Sequence, residues 1–426
     1  MHRNTALFLL LLAYILSYLD RTLISVLAVP IKQDLQLTDT QLGLLAGLPF
    51  VIFYVGLGVP VAWLADRWSR VRIVAIAVAL WSLFTAACGL TQNFWQLTFA
   101  RMGVGIGEAG GSAPSISLIT DLFPPESRAR AIAIFMFGLP IGTASGIIFG
   151  GWIASNIDWR AAFIVIGLIG LPLALLIRLM IKDPPRGGTD AGGGGGEELA
   201  PSAGATARIL AGTPSFWLIS LAGAASAVPI MGLAFWLPTY FARGVGLSLI
   251  QIAYIYGPIV FFGGISGMWL GGWVGDRLGS ARPAAYGWVV AVSYFLAGPL
   301  YALFLIIPNL PVALAVFVLA QAIGYVALSP ALACIQNIVP ANMRSTATAG
   351  YSFMMNLVGM GFGNVFFGWL SDRMSEGYGQ DSIRYSMLIG LSFYLVGAVL
   401  AALAAKRLDK DWYLRPSAAD AGAASG

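Results

Sequence analysis

The chain has 426 residues, 58% hydrophobic and only 10% charged, with a mean hydropathy of +0.81. Soluble domains carry about 25% charged residues, so this composition excludes a fold built for water alone. The net charge of +5 is scattered over short polar stretches, which excludes a nucleic-acid-binding patch and leaves the lipid bilayer as the partner of the basic residues.

Apolar stretches near the length of a bilayer crossing recur from end to end. The first lies near residues 5–30. It is too long for a secretory leader, contains Asp20-Arg21 and lacks a small-residue cleavage site, so it reads as a membrane helix. Further spans follow near 41–64, 71–90, 95–122, 129–153 and 161–181. Residues 182–213 hold "DPPRGGTDAGGGGGEELAPSAGA", a composition of flexible aqueous linkers. Six more spans lie near 214–241, 249–274, 283–306, 311–338, 345–370 and 385–405, and residues 411–426 read as a disordered tail. The expectation is an all-α polytopic membrane protein, with twelve transmembrane helices in two six-helix bundles, 1–181 and 214–410.

Lys32, Arg160, Arg243, Arg373 and Arg384 fall at the span ends on one side. Apart from Arg21 and Arg101, which lie inside spans, the other basic residues crowd the opposite side. The positive-inside rule then puts both termini, the linker and the tail in the cytoplasm of a cell whose inner (plasma) membrane holds the protein. The only histidine is His2, and Cys88 and Cys334 sit in apolar segments. Proton chemistry therefore falls to carboxylates. No metal site or cofactor is expected, and both cysteines read as free thiols.

The halves repeat. "WLADRWSRVR" (63–72) matches "WVGDRLGSAR" (273–282), and "FPPESRARA" (123–131) matches "VPANMRSTA" (339–347). Tandem six-helix halves point to a transporter with its site near the midplane, although a channel or membrane enzyme also fits composition alone. In the two Asp-Arg turns the aspartate is placed to cap the next helix or face its N-terminus. Asp66, Arg67, Arg70, Asp276 and Arg277 are the expected conformational latch. Span five carries Gly138, Gly142, Gly146 and Gly150 at a spacing of four, a packing stripe for a neighbouring helix. The run "GVGIGEAG" in span four lacks the preceding strand of a dinucleotide site, so its glycines also read as close packing.

Ionisable residues inside spans cost about 2.5–3.5 kcal/mol each on insertion scales, and so mark function. They are Asp20 and Arg21 in span one and Arg101 and Glu108 in span four. Arg101 and Glu108 share a helical face about 10 Å apart along the axis, too far for an ideal direct pair. Their partners should come from span one, where adjacent Asp20 and Arg21 diverge by about 100°. Desolvation favours a neutral carboxylic acid and a neighbouring guanidinium favours the carboxylate. Asp20 and Glu108 are therefore the proton-coupling candidates, with Arg21 and Arg101 as coupling partners or head-group ligands. A static ion-paired lock is the competing role. The second half repeats none of these charges; Tyr254, Tyr256, Gln321 and Asn356 are its candidates for a substrate cavity.

"AWLADRWSRVR" is similar to the loop signature of the major facilitator superfamily, with Ala62 and Ser69 in place of two glycines and Val71 in place of a basic residue. "SYLDR" (17–21) and "ARMGVGIGEAGGSAP" (100–114) resemble helices one and four of its Spinster family, and "MGLAFWLPTYFAR" (231–243) resembles helix seven. The resemblance implies alternating access, no enzymatic activity, proton coupling through Asp20 and Glu108 with Arg101 as partner, and export of lysolipid- or sphingolipid-like amphiphiles by a monomer. Two alternatives remain: a proton-coupled organic-anion symporter that holds a carboxylate on Arg101 or Arg21, and a lipid-binding membrane receptor that transports nothing.

Overall fold

The computed structural model describes residues 3–65, 67–184, 208–279, 282–340 and 343–412. Among them there is no strand. Twelve helical rods follow one another. They are α1 (Arg3–Val26, continued by Ala28–Leu35), α2 (Asp39–Ala46 and Leu48–Ala65), α3 (Arg70–Cys88), α4 (Phe94–Glu108 and Ser112–Leu122), α5 (Pro125–Met136 and Gly138–Asn156) and α6 (Trp159–Met180). The second half holds α7 (Pro214–Arg243), α8 (Leu249–Gly279), α9 (Ala284–Ile306), α10 (Leu310–Val326 and Leu328–Asn337), α11 (Arg344–Asn356, the π-helical turn Leu357–Gly363, and Asn364–Tyr378) and α12 (Ser382–Gly390 and Ser392–Asp411). Among the described residues, ten stretches are long and apolar enough to cross a membrane. One of them, Thr346–Asp411, holds most of α11 and all of α12, and α4 lies outside the ten because the turn over 109–111 divides it into segments of 15 and 11 residues. The chain is thus a polytopic membrane protein, with twelve helical rods among the described residues.

Helix starts follow local chemistry. Asn93 caps α4 by accepting from the Gln96 amide, and Asp158 caps α6 through Ala161. Thr38 and Gln41 form a reciprocal capping box at α2. At α3 the cap is Ser69, which accepts from the Arg72 amide. The serine that replaces a signature glycine thus does the capping that the Asp-Arg turn suggested for an aspartate.

Packing divides the chain into two compact units. The first takes in α1–α6 together with Ile230–Phe262 and Asn356–Gly390; the second takes in the rest of α7, Gly263–Met355 and the chain from Leu391 onward. In the first unit α5 lies along α1. A Cβ added at Gly142 would sit 2.4 Å from the Ile15 carbonyl oxygen, and one at Gly146 2.7 Å from that of Leu19, so the glycine stripe lets two backbones touch. In the second unit α9 packs between α10 and α12, with stacked Phe304–Phe317 and Tyr301–Tyr394 rings. Cys88 and Cys334 are buried as free thiols. Most of the linker (185–207) and of the tail (413–426) lies outside the described residues. At its start the linker is tied down: Asp183 and the Pro184 carbonyl accept from Arg70 at 3.1 and 2.9 Å.

Candidate functional site

Glu108 ends the first segment of α4. The helix breaks over 109–111 and restarts at Ser112. Pro114 removes the amide that would bond the Gly110 carbonyl, which helps keep the segments apart. The close glycines before the break bring α4 onto its neighbours: a Cβ at Gly105 would lie 2.6 Å from the Phe50 carbonyl of α2, and one at Gly107 2.5 Å from the Trp81 amide of α3. Arg101 and Glu108 are thereby pressed against α1, α2 and α3, at 1% and 2% exposure.

The four charges pair crosswise between α1 and α4. Arg21 donates to one oxygen of Glu108, Oε2, through both Nε and Nη2 at 2.5 Å, and Ser17 donates to the same oxygen at 2.9 Å. Asp20, 1% exposed, faces Arg101 with Nη1–Oδ1 at 3.7 Å and accepts from Thr85 at 2.6 Å. The first pair is tight. The second is an ion pair without a hydrogen bond. Three rings of α1 and α2 surround the Arg21 guanidinium: Tyr54 at 4.4 Å, Tyr18 at 5.0 Å and Phe50 at 5.1 Å. Phe50 also lies 5.3 Å from the Arg101 guanidinium, so one ring lies against both cations.

The cluster is neutral in sum but not satisfied. Glu108 Oε1, Asp20 Oδ1 and the Nε and Nη1 of Arg101 are buried without hydrogen-bond partners. Such orphans are uncommon in native interiors and call for an explanation. Tyr14, Ser17, Arg21, Tyr54, Trp81 and Glu108 contribute to the wall of a small cavity with room for about one water molecule.

The remaining expected residues are placed as follows. Tyr254 is 66% exposed. Tyr256 is buried and donates to the Ala234 carbonyl at 3.2 Å. Gln321 is buried and accepts from the Tyr301 hydroxyl at 2.7 Å. Asn356 is half-buried at the edge of the π-helical turn. Of the latch residues, Asp66 lies outside the described residues. Arg67 folds back onto Trp63, and Arg277 lies over Trp273; Asp276 is exposed. Arg70 pairs with Asp121 and Asp183 and donates to Ser117, partners on α4 and at the start of the linker.

Sequence reasoning missed Thr85, whose position three residues after Ser82 on an apolar helix was its only signal. It also missed a cluster at the ends of the spans remote from the linker. There Asp39 accepts from Lys32 at 2.6 Å, from Arg243 at 2.7 and 3.1 Å, and from Ser371 at 2.8 Å. Asp372 in turn accepts from the amides of Asp39 and Thr40 at 3.0 and 2.7 Å, and from the Thr40 hydroxyl at 2.5 Å. Its carboxylate thus sits on the N-terminus of α2, where a negative charge is favoured. All these residues lie in the first unit.

Comparison with known proteins matches this architecture. The family model of the Major Facilitator Superfamily matches residues 10–363. An MFS-type efflux pump of Mycolicibacterium smegmatis is 31% identical over 404 residues, covering 93% of this chain and 91% of that one. Human protein spinster homolog 1 is 30% identical over 401 residues, covering 88% and 74%. The crystal structure of a bacterial homologue of the human lysosomal transporter Spinster, inward-facing and unoccupied, superposes with a TM-score of 0.89 at 31% identity, over 97% of this chain and 99% of that one. A second crystal structure of such a homologue, inward-facing and occupied, gives 0.86 at 29% identity. The crossed charges on α1 and α4 thus sit in a chain that belongs to the Spinster family of the major facilitator superfamily, a family of alternating-access membrane transporters and not of enzymes.

Proposed function

We propose that the protein is a proton-coupled antiporter that exports an amphiphile, of lysolipid or sphingolipid type, from the cytoplasm. The reading places it as a monomer in the inner (plasma) membrane, with both termini and the linker cytoplasmic and the Asp39 cluster at the outer face. The observation that carries it is Glu108. One oxygen is held by Arg21 and Ser17, the other is buried and unpartnered, and the residue lines a cavity with room for about one water molecule. A static lock would leave fewer orphans, because an incompletely bonded buried ion pair costs stability that it does not return. Protonation of Glu108 releases Arg21, and the freed guanidinium then tugs on the Tyr18, Phe50 and Tyr54 cage between α1 and α2. Asp20 and Arg101 form the second, looser coupling pair. The charged first half suits a polar head; the tyrosines and amides at Tyr254, Tyr256, Gln321 and Asn356 are the proposed counterpart. The relative called an efflux pump adds support for the direction of export.

Flux assays test this. Proteoliposomes holding a pH-sensitive dye are given an imposed pH gradient and a fluorescent lysophospholipid. The expected result is lysophospholipid movement against the proton flow, lowered about tenfold or more by Glu108→Gln, in line with the usual size of a lost proton-transfer group. Flux that ignores the gradient sinks proton coupling. Movement of lipid and protons in one direction sinks antiport and favours the symporter.

A further inference from the structure

The transport reading makes no use of a second cavity, at the span ends remote from the linker. It measures about 330 Å³, and its lining includes Val29 and Leu42 together with Lys32, Gln33, Thr239 and Arg243. We propose that this cavity binds a phosphate-bearing anion, with Lys32, Arg243 and Thr239 as donors. Three observations converge on it. Two cations from different spans share a single carboxylate, Asp39. The Thr239 hydroxyl, on a residue only 1% exposed, has no partner. The Nε of Arg243 is likewise buried and unpartnered. Both atoms are covered in this structure, so an anion reaches them by a turn of the Thr239 and Arg243 side chains toward the cavity, whose wall already carries two cations that share the one carboxylate.

The chemistry fits a phosphate group. Its tetrahedral oxygens can take the guanidinium fork, the ammonium and a hydroxyl together, whereas the planar Asp39 carboxylate leaves Thr239 and Arg243 Nε unused. The volume is at the low end for small-molecule sites, about 300–1,000 Å³, so it suits a head group and not a whole lipid. Val29 and Leu42 would meet the first carbons of a chain. Asp372 is engaged by the α2 N-terminus and Asp34, two residues from Lys32, by Arg160, so an incoming anion competes with Asp39 for Lys32 and Arg243. A lipid head group and free phosphate share this chemistry.

Isothermal titration of the purified full chain in neutral detergent tests the site. The probes are inorganic phosphate, a short-chain lysophosphatidic acid, and the monoacylglycerol of the same chain as a neutral control. The phosphate-bearing amphiphile should bind, and the neutral one should not. Arg243→Gln should weaken binding about tenfold, as losing a charged hydrogen bond does, and Thr239→Val should weaken it about threefold. Asp39→Asn, which removes the internal competitor, should tighten binding; a residue that merely held the structure together would give the opposite result. If Arg243→Gln unfolds the protein, Thr239→Val and Asp39→Asn still decide the matter. Binding of lysophosphatidic acid with phosphate silent assigns a lipid head group, and equal binding of both assigns free phosphate. Absence of binding, equal binding of the neutral control, or indifference to Thr239→Val and Asp39→Asn overturns the site. The titration involves no gradient and no flux, so its outcome is independent of proton-driven export.

Discussion

At the residue scale the two buried acids differ in how they are held. Glu108 has three contacts on a single oxygen; Asp20 has Thr85 and a distant Arg101. Thr85→Val keeps the shape of the side chain and deletes the one short hydrogen bond to Asp20. Leaving a buried carboxylate short of a donor costs about 1–3 kcal/mol, so thermal unfolding in detergent should move down by several degrees, and Thr85→Ser should restore it. An unchanged midpoint in Thr85→Val would show that Arg101 alone satisfies Asp20. The exposed Asp34–Arg160 pair is a contrast. Its hydrogen bond from Arg160 holds Asp34 below the usual carboxylate range. The contribution is present above the ordinary pKa of Asp34 and is lost as pH falls through the lowered value, but a surface pair contributes only about 0–1 kcal/mol. The cross-pairing of Asp20 with Arg101 and Arg21 with Glu108 could be anticipated, because charges are rare in apolar spans and helical geometry keeps adjacent residues apart. Thr85 could not, since a lone threonine in an apolar helix commonly bonds its own backbone, as Thr22 and Thr98 do here.

At the element scale the glycines decide how close α4 can come to α2 and α3. Gly105→Ala would press a methyl group against the Phe50 carbonyl at 2.6 Å. Backbone cannot retreat as a flexible side chain can, and overpacking of this kind costs about 1–3 kcal/mol. Gly56, in α2, has nothing within 4 Å of an added Cβ, so Gly56→Ala should be neutral or stabilise by up to about 1 kcal/mol from helix propensity. Opposite signs in the two unfolding midpoints are the expected result; two equal losses would mean that glycine here serves helix flexibility and not close approach. Hydropathy marked the spans well because each buries a long apolar surface. It did not mark the breaks inside them, at Leu27, Gly47, 109–111, Phe137, Ala327 and Leu391, nor the π-helical turn of α11. A window of twenty residues averages over a single broken hydrogen bond. Nor could it show α11 running on to Tyr378, where polar residues continue the helix past its apolar core.

At the scale of the whole molecule, an alternating-access transporter must hold one end while the other exchanges substrate. The first compact unit includes segments of α7 and α11 as well as α1–α6, so its contacts join the two halves of the sequence at the end remote from the linker. Asp39 and Asp372 dominate that junction, and the hydrogen bond between them spans 333 residues of chain. No local sequence pattern carries such a pairing, and the repeated Asp-Arg turns drew attention to the opposite end. The backbones also meet: a Cβ at Gly43 would lie 2.3 Å from the Asn364 carbonyl, and one at Gly368 2.3 Å from that of Asp39. This packing is short-range, so it resists separation only while α2 and α11 stay in register, and the Asp372 carboxylate on the α2 N-terminus sets that register. Asp372→Asn removes the charge and replaces one acceptor oxygen by an amide that cannot accept. Hydrogen bonds to a charged group contribute about 1.5–3 kcal/mol, and each 1.4 kcal/mol is about tenfold in an equilibrium. Spin labels on exposed Gln92 and Glu376 should then show a longer-distance population enriched about tenfold or more over the parent protein. Arg70→Gln, whose partners lie on α4 and at the start of the linker, should leave that distribution unchanged. Equal distributions in Asp372→Asn and the parent would mean that glycine-mediated packing alone holds this end shut.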